Sequence, residues 1–193
     1  NSYYQELIDH CDLDVAICGG GPSAMVAAKD LAKAGLKTAI FEKRLAPGGG
    51  MWGGGMLFNH IALQEAALPI LEENGIRYKK HDENLYTADS VETTAGLLFG
   101  AINSGAKLFN GIFAEDVMVH DGRITGIVIN WTTVDHMGLI VDPLTISAKY
   151  VIDGTGHPTE IVKLVQDKNG IKLKTKTGRV MTEGSLDADR AEG

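Results

Sequence analysis

Two glycine-rich stretches and one carboxylate carry the first sign of chemistry. Gly19-Gly20-Gly21-Pro22-Ser23-Ala24 has the spacing G-x-G-x-x-A. It follows an apolar run of strand length, Leu13–Cys18, and opens a helical pattern from Pro22 to Ala34. Glu42 ends a second strand-like run, Lys37–Glu42, 23 residues after Gly19. A strand, glycine turn, helix and second strand closed by an acid is the context a dinucleotide fingerprint requires. Gly19 would make the tight turn, and Gly21 would let the backbone reach a pyrophosphate. Ala24 would let the helix pack closely on the strand. The phosphates would sit on unpaired N–H groups at the helix N-terminus. Glu42 would accept hydrogen bonds from a ribose. A tight turn with no ligand is the bland alternative. Glu42 opposes a 2′-phosphate on that ribose, since two anions would face each other, an argument that the neighbouring Lys43 and Arg44 weaken somewhat.

The second stretch is Gly48-Gly49-Gly50-Met51-Trp52-Gly53-Gly54-Gly55. A plain dinucleotide fold does not need six glycines after its second strand. The chain holds 24 glycines in 193 residues, well above the usual ~7%. Their clustering suggests a backbone that touches a ligand.

On residue chemistry alone, Asp142 and His157 are a poor metal signal. Imidazole plus carboxylate suits iron(II). Fifteen positions and a strand separate them, and two protein ligands are fewer than usual. A capping Asp before Pro143 and a turn His before Pro158 are the plain alternatives. His10, His60, His81, His120 and His136 have no partner pattern and read as ordinary surface or core residues.

These residues need a scaffold. With 44% hydrophobic and 22% charged residues, the chain can bury a core. A net charge of −7 and a pI near 5.3 argue against nucleic acid. No apolar run reaches the ~20 residues of a membrane span, and Asn1–Asp12 has no signal-peptide pattern. Cys11 and Cys18 make no disulfide framework, so a reducing cytoplasm is expected.

After the first strand–helix–strand unit, helices are expected at Ile61–Asn74, Ser90–Asn103 and Pro158–Gln166. Two short strands fit Ile76–Ala88, and further strands fit Ala106–Phe109 and Thr145–Ile152. Asp121-Gly122 between alternating runs predicts a hairpin over Ile112–Trp131. Val134–Asp142 reads as a loop, and Asp167–Gly193 as a polar tail. The fold class is α/β. A parallel sheet carries helices on both faces, with an antiparallel hairpin subdomain at about 112–131. It is a single Rossmann-like, two-dinucleotide-binding domain.

Glu42-Lys43-Arg44-Leu45-Ala46-Pro47 and the glycine run to Met56 resemble the E-[RK]-x-x-x-x-G-G-G-x-W-G-G-G-M segment of the thiazole synthases of thiamine biosynthesis. The likeness is greatest to the archaeal and bacterial sulfide-dependent branch, once described as ribose bisphosphate isomerases. Ala88-Asp89-Ser90-Val91-Glu92, Gly111-Ile112, Val128–Trp131, Asp142–Thr145 and Asp153-Gly154-Thr155-Gly156-His157 resemble it in order, from Asp14 to about Thr177.

The resemblance implies an iron(II)-dependent enzyme that consumes NAD as a substrate. Nicotinamide leaves, glycine condenses with the opened sugar, and sulfur enters an ADP-linked thiazole carboxylate. Ser23, Glu42, Lys43, Gly50 and Ala114 then touch the dinucleotide, while Ile140, Val141 and Asp142 lie beside the reacting sugar. Asp142 and His157 bind the iron, with Asp142 reaching into a neighbouring subunit of a ring-like homo-oligomer, an octamer by resemblance.

The chain departs from that pattern twice. Members that give up their own sulfur carry a cysteine two residues before the Asp-Pro; here the residue is Ile140. An aliphatic side chain donates no sulfur, so free sulfide is the expected source. The family's last strand, Gly-Met turn and Arg-Met-Gly segment, whose arginine holds the glycine carboxylate, have no match before Gly193. Two other readings stay open: an FAD-dependent oxidoreductase of the glutathione-reductase type, and a non-catalytic NAD-binding protein.

Overall fold

A computed structural model describes residues 2–180. Helix α1 (Ser2–Asp9) precedes strand β1 (Asp12–Cys18). Helix α2 (Pro22–Lys33) and strand β2 (Thr38–Glu42) complete the first unit. Then come β3 (His60–Leu63), α3 (Leu68–Glu73), β4 (Tyr78–Asp82), β5 (Leu85–Asp89) and α4 (Ser90–Asn103). Strands β6 (Lys107–Asn110), β7 (Ile112–His120) and β8 (Arg123–Trp131) lead to α5 (Thr132–His136), β9 (Leu144–Asp153) and α6 (Glu160–Asn169).

The main sheet has the order β6-β2-β1-β9-β8-β7. Its first four strands run parallel. Strand β1 is central and covered on both faces, which explains its near-continuous apolar sequence. Val15 and Ile17 join one core with Met25 and Ala28 of α2 and Leu97 and Ala101 of α4. Ala16 and Cys18 join the other, with Phe41, Ile127 and Ile146 from the sheet and Ile161 and Val165 from α6. Helices thus lie on both faces, as expected. None among the described residues is long and apolar enough to cross a membrane.

The hairpin turns at Asp121 and Gly122, both with positive φ (49° and 71°). That backbone matches the twist of the flanking strands. The hairpin is continuous with the main sheet, because Gly126–Ile129 of β8 pair antiparallel with Leu144–Ser147 of β9. Helix α5 takes in Val134–His136, the first part of the loop expected over Val134–Asp142.

The largest departure is at Ile61–Asn74. Only Leu68–Glu73 is α-helical; the start of the segment is strand β3, paired with β5 through Ile61–Ala88 and Leu63–Tyr86. Pro69 explains the division. It has no N–H for the carbonyl of Glu65, so it suits the first turn of a helix and opposes one running through it. Strands β3, β5 and β4 form a separate antiparallel sheet. Helix α4 starts as predicted: Asp89 caps it by accepting the Glu92 N–H at 2.8 Å. The final part of the expected polar tail, 181–193, lies outside the described residues.

Candidate functional site

Strands β1 and β9 end side by side, with Cys18 level with Asp153. Beyond the carboxyl ends of β1, β2 and β9 lies a cavity of about 890 Å³. Open α/β sheets present ligand crevices at this edge. Gly19, Gly21 and Ser23 line it from the first glycine turn, and Glu42 and Lys43 from the end of β2. Gly50, Ala114 and His157 line it from three further segments. Eight residues chosen from sequence therefore share one cavity.

The glycines divide by role. Gly19 has φ +96°, and a Cβ there would come within 2.4 Å of the Gly154 carbonyl oxygen. That close approach packs the first turn against the β9 end. At Gly21 the nearest atom to a Cβ would be 4.0 Å away, and at Gly50 a Cβ would meet nothing within that distance. These two leave open space over the cavity, as a bound pyrophosphate would need.

The two glycine loops touch. The Gly48 N–H donates to the Gly20 carbonyl at 2.7 Å. The Trp52 indole N–H donates to the Pro47 carbonyl at 2.7 Å, and the Ser90 hydroxyl donates to the Trp52 carbonyl at 3.1 Å. Trp52 is thus a strut that holds the second loop to the start of α4.

Glu42 is buried. Its carboxylate accepts the Gly20 N–H at 2.6 Å and the Arg44 N–H at 2.7 Å. Each carboxylate oxygen keeps further acceptor capacity, so it can also take ribose hydroxyls. Cys18 lines the cavity. Its burial, and secondarily the Asp153 carboxylate, push its thiol well above the usual range. It is held as the neutral thiol, a poor nucleophile.

Asp153 organises the loop that carries His157. One of its oxygens accepts the Thr155 N–H at 3.0 Å and the Thr155 hydroxyl at 2.6 Å. The other accepts the Val162 N–H at 2.9 Å. The Thr155 oxygen accepts the Glu160 N–H at 2.8 Å. This network caps α6, whose own N-cap, Thr159, makes no side-chain cap bond. Sequence reading missed Asp153 and Glu160 as site residues. An acid at a strand end followed by Gly-Thr-Gly was the available signal for the first.

The remaining predicted residues are elsewhere. Ile140, Val141 and Asp142 do not line the cavity. They lie in an exposed segment after α5, where Ile140 is wholly exposed. Asn130 of β8 anchors it by donating to the Val141 carbonyl at 3.3 Å. Among the described residues no group of three or more His, Cys, Asp or Glu could hold a metal ion. Within one chain the donor set is therefore incomplete for iron. His157 lines the cavity, and Asp142 is exposed and does not line it.

Comparison with known proteins gives a consistent answer. A family model described as the Thi4 family matches residues 1–193. A thiamine thiazole synthase from Methanothermobacter thermautotrophicus is 52% identical over 190 residues, which is 98% of this chain and 74% of that protein. The crystal structure of Thermovibrio ammonificans THI4 is 49% identical and superposes with a TM-score of 0.86 over 89% of this chain and 68% of that one. A geranylgeranyl bacteriochlorophyll reductase-like protein from Thermoplasma acidophilum, 21% identical, has a TM-score of 0.63 over 88% of this chain and 44% of that one. That last likeness concerns the fold alone.

Proposed function

The chain belongs to the Thi4 family of thiamine thiazole synthases, and from that premise we propose that it converts NAD, glycine and sulfide into an ADP-linked thiazole carboxylate, releasing nicotinamide, with iron(II) as the metal. The observation that carries this reading is the gathering of eight separated residues around one cavity of about 890 Å³. A dinucleotide needs a cavity of this order.

The residues divide the work. The open backbone at Gly21 and Gly50 takes the pyrophosphate at the start of α2, where unpaired N–H groups and the helix dipole favour negative charge. Pro22 at the start of α2 gives up no needed N–H there. Glu42, already fixed by two backbone N–H groups, orients the adenosine ribose. Lys43 and Ala114 flank the adenosine end, and the sugar that loses nicotinamide points toward His157. Bound iron(II) would supply Lewis acidity at the glycine-derived imine and sulfide.

His157 holds that iron from its own subunit. Asp142, with Ile140 and Val141 beside the reacting sugar, comes from a neighbouring copy in a homo-oligomer. The exposed, apolar segment after α5 supports this, with Met137, Leu139 and Ile140 all open to solvent. Neither Ile140 nor the neutral Cys18 thiol is a sulfur donor, so free sulfide supplies the atom.

Mass spectrometry of the small molecule released on denaturing the purified protein tests the reading. NAD or an ADP-thiazole is expected. A flavin would contradict it and favour an oxidoreductase.

A further inference from the structure

The sequence leaves one point of ligand choice unresolved. Glu42 disfavours a 2′-phosphate, and the adjacent Lys43 and Arg44 are cations of the kind that accept one. The structure shows what becomes of the first cation. Lys43 Nζ donates to Glu160 Oε1 at 2.7 Å. The pair bridges the end of β2 and the start of α6, and both residues line the cavity.

Both ends of the bridge are anchored. The Lys43 carbonyl accepts the Thr132 hydroxyl at 2.7 Å. The Glu160 N–H donates to Thr155 Oγ1, which Asp153 holds in turn. The two side chains are 48% and 41% exposed, so the pair adds little to folding stability. Its effect is on charge: it occupies Lys43 and adds a second carboxylate to the wall of the cavity that Glu42 lines.

The geometry points to Glu160 as a specificity-determining residue that makes the site reject 2′-phosphorylated dinucleotides. This rests on the NAD reading above and assigns that site its discrimination. A free 2′-hydroxyl can donate to a carboxylate. A 2′-phosphate would face Glu42 and Glu160 with Lys43 already engaged, and unfavourable contacts of this kind are how a site excludes a near-identical ligand.

The test is calorimetric binding of NAD and NADP to nucleotide-free wild type, E160Q, E160A and K43M/E160Q. Wild type is expected to prefer NAD. E160Q and E160A should narrow the NAD-to-NADP affinity ratio by about fivefold or more, the scale of one partly screened charge interaction. K43M added to E160Q should remove the part of that gain owed to the freed lysine and leave the part owed to the lost carboxylate, and higher salt should shrink both. An unchanged ratio in whichever Glu160 variant folds would overturn the inference. If wild type binds neither dinucleotide, the NAD reading fails as well; if it binds NAD and the ratio stays fixed, only the role of Glu160 fails.

Discussion

The Glu42 carboxylate accepts the Gly20 N–H at 2.6 Å, tying the end of the second strand to the middle of the first glycine turn. One side chain thereby fixes the shape of the turn that, in the proposed function, holds the pyrophosphate, and its carboxylate keeps acceptor capacity for a ribose. Glu42→Ala should orphan two backbone N–H groups and cost about 1–3 kcal/mol, read by urea denaturation. Glu42→Gln keeps an acceptor and should lose less stability. Both variants should bind NAD more weakly by calorimetry.

Gly19 and Gly50 should respond in opposite ways to the same added methyl. Gly19→Ala forces a Cβ against the Gly154 carbonyl at a positive φ. It should lower stability by more than about 1 kcal/mol, or about 2–4 °C in melting temperature for a chain of this size. Gly50→Ala, with open space around its Cβ, should melt near wild type and bind NAD more weakly. Equal melting of the two variants would remove the division into packing and ligand-facing glycines.

The proposed sharing of a metal site between subunits can be tested by complementation. Asp142→Ala and His157→Ala should each be inactive alone. Co-expressed chains should recover roughly a quarter of the sites, since random pairing places an intact His157 beside a neighbour's intact Asp142 that often. No recovery, or an active monomer by sedimentation, would contradict the exchange of Asp142 between subunits.

Acid should weaken the fold through three carboxylates held below their ordinary range. Lys149, and then the Lys37 N–H, lower Asp14. Lys33 and Lys29 lower Glu73. Arg77, through its side chain and its N–H, lowers Glu92. Each folded carboxylate holds its proton less tightly than the unfolded one. The stabilisation is therefore complete above the ordinary carboxylate pKa of about 4 and lost as pH falls through the folded values. Thermal melts from pH 7 to 3 should show this decline. Glu92→Gln should flatten part of it, and added salt should reduce it.

Legibility in the sequence followed the range of the forces involved. The Asp121-Gly122 turn, the start of α4 at Ser90 and the strand–glycine–helix unit at Leu13–Ala34 are set by neighbours in the chain, and each was readable. Strand β3 was not. Ile61 and Leu63 alternate as a strand requires, but so short a run does not stand out from the helical pattern that continues to Asn74, and it is pairing with Ala88 and Tyr86 that makes them a strand. The site behaved alike. Glycines and Glu42 announce themselves through the fingerprint, and Asp153 was signalled only by its place before Gly-Thr-Gly, whereas Glu160 acts through Lys43, 117 positions away, which no local pattern encodes. The segment Ile140–Asp142 has a legible motif, but its exposed position outside the cavity was not legible in that motif.

The most direct measurement is product formed per chain with NAD, glycine, iron(II) and varied sulfide, followed by nicotinamide release and the mass of the adenylated product. With Ile140 where a donor cysteine would stand, and the Cys18 thiol buried and neutral, product should exceed one equivalent per chain and vanish without sulfide. Product capped at one equivalent, or formed with no sulfide added, would contradict the account.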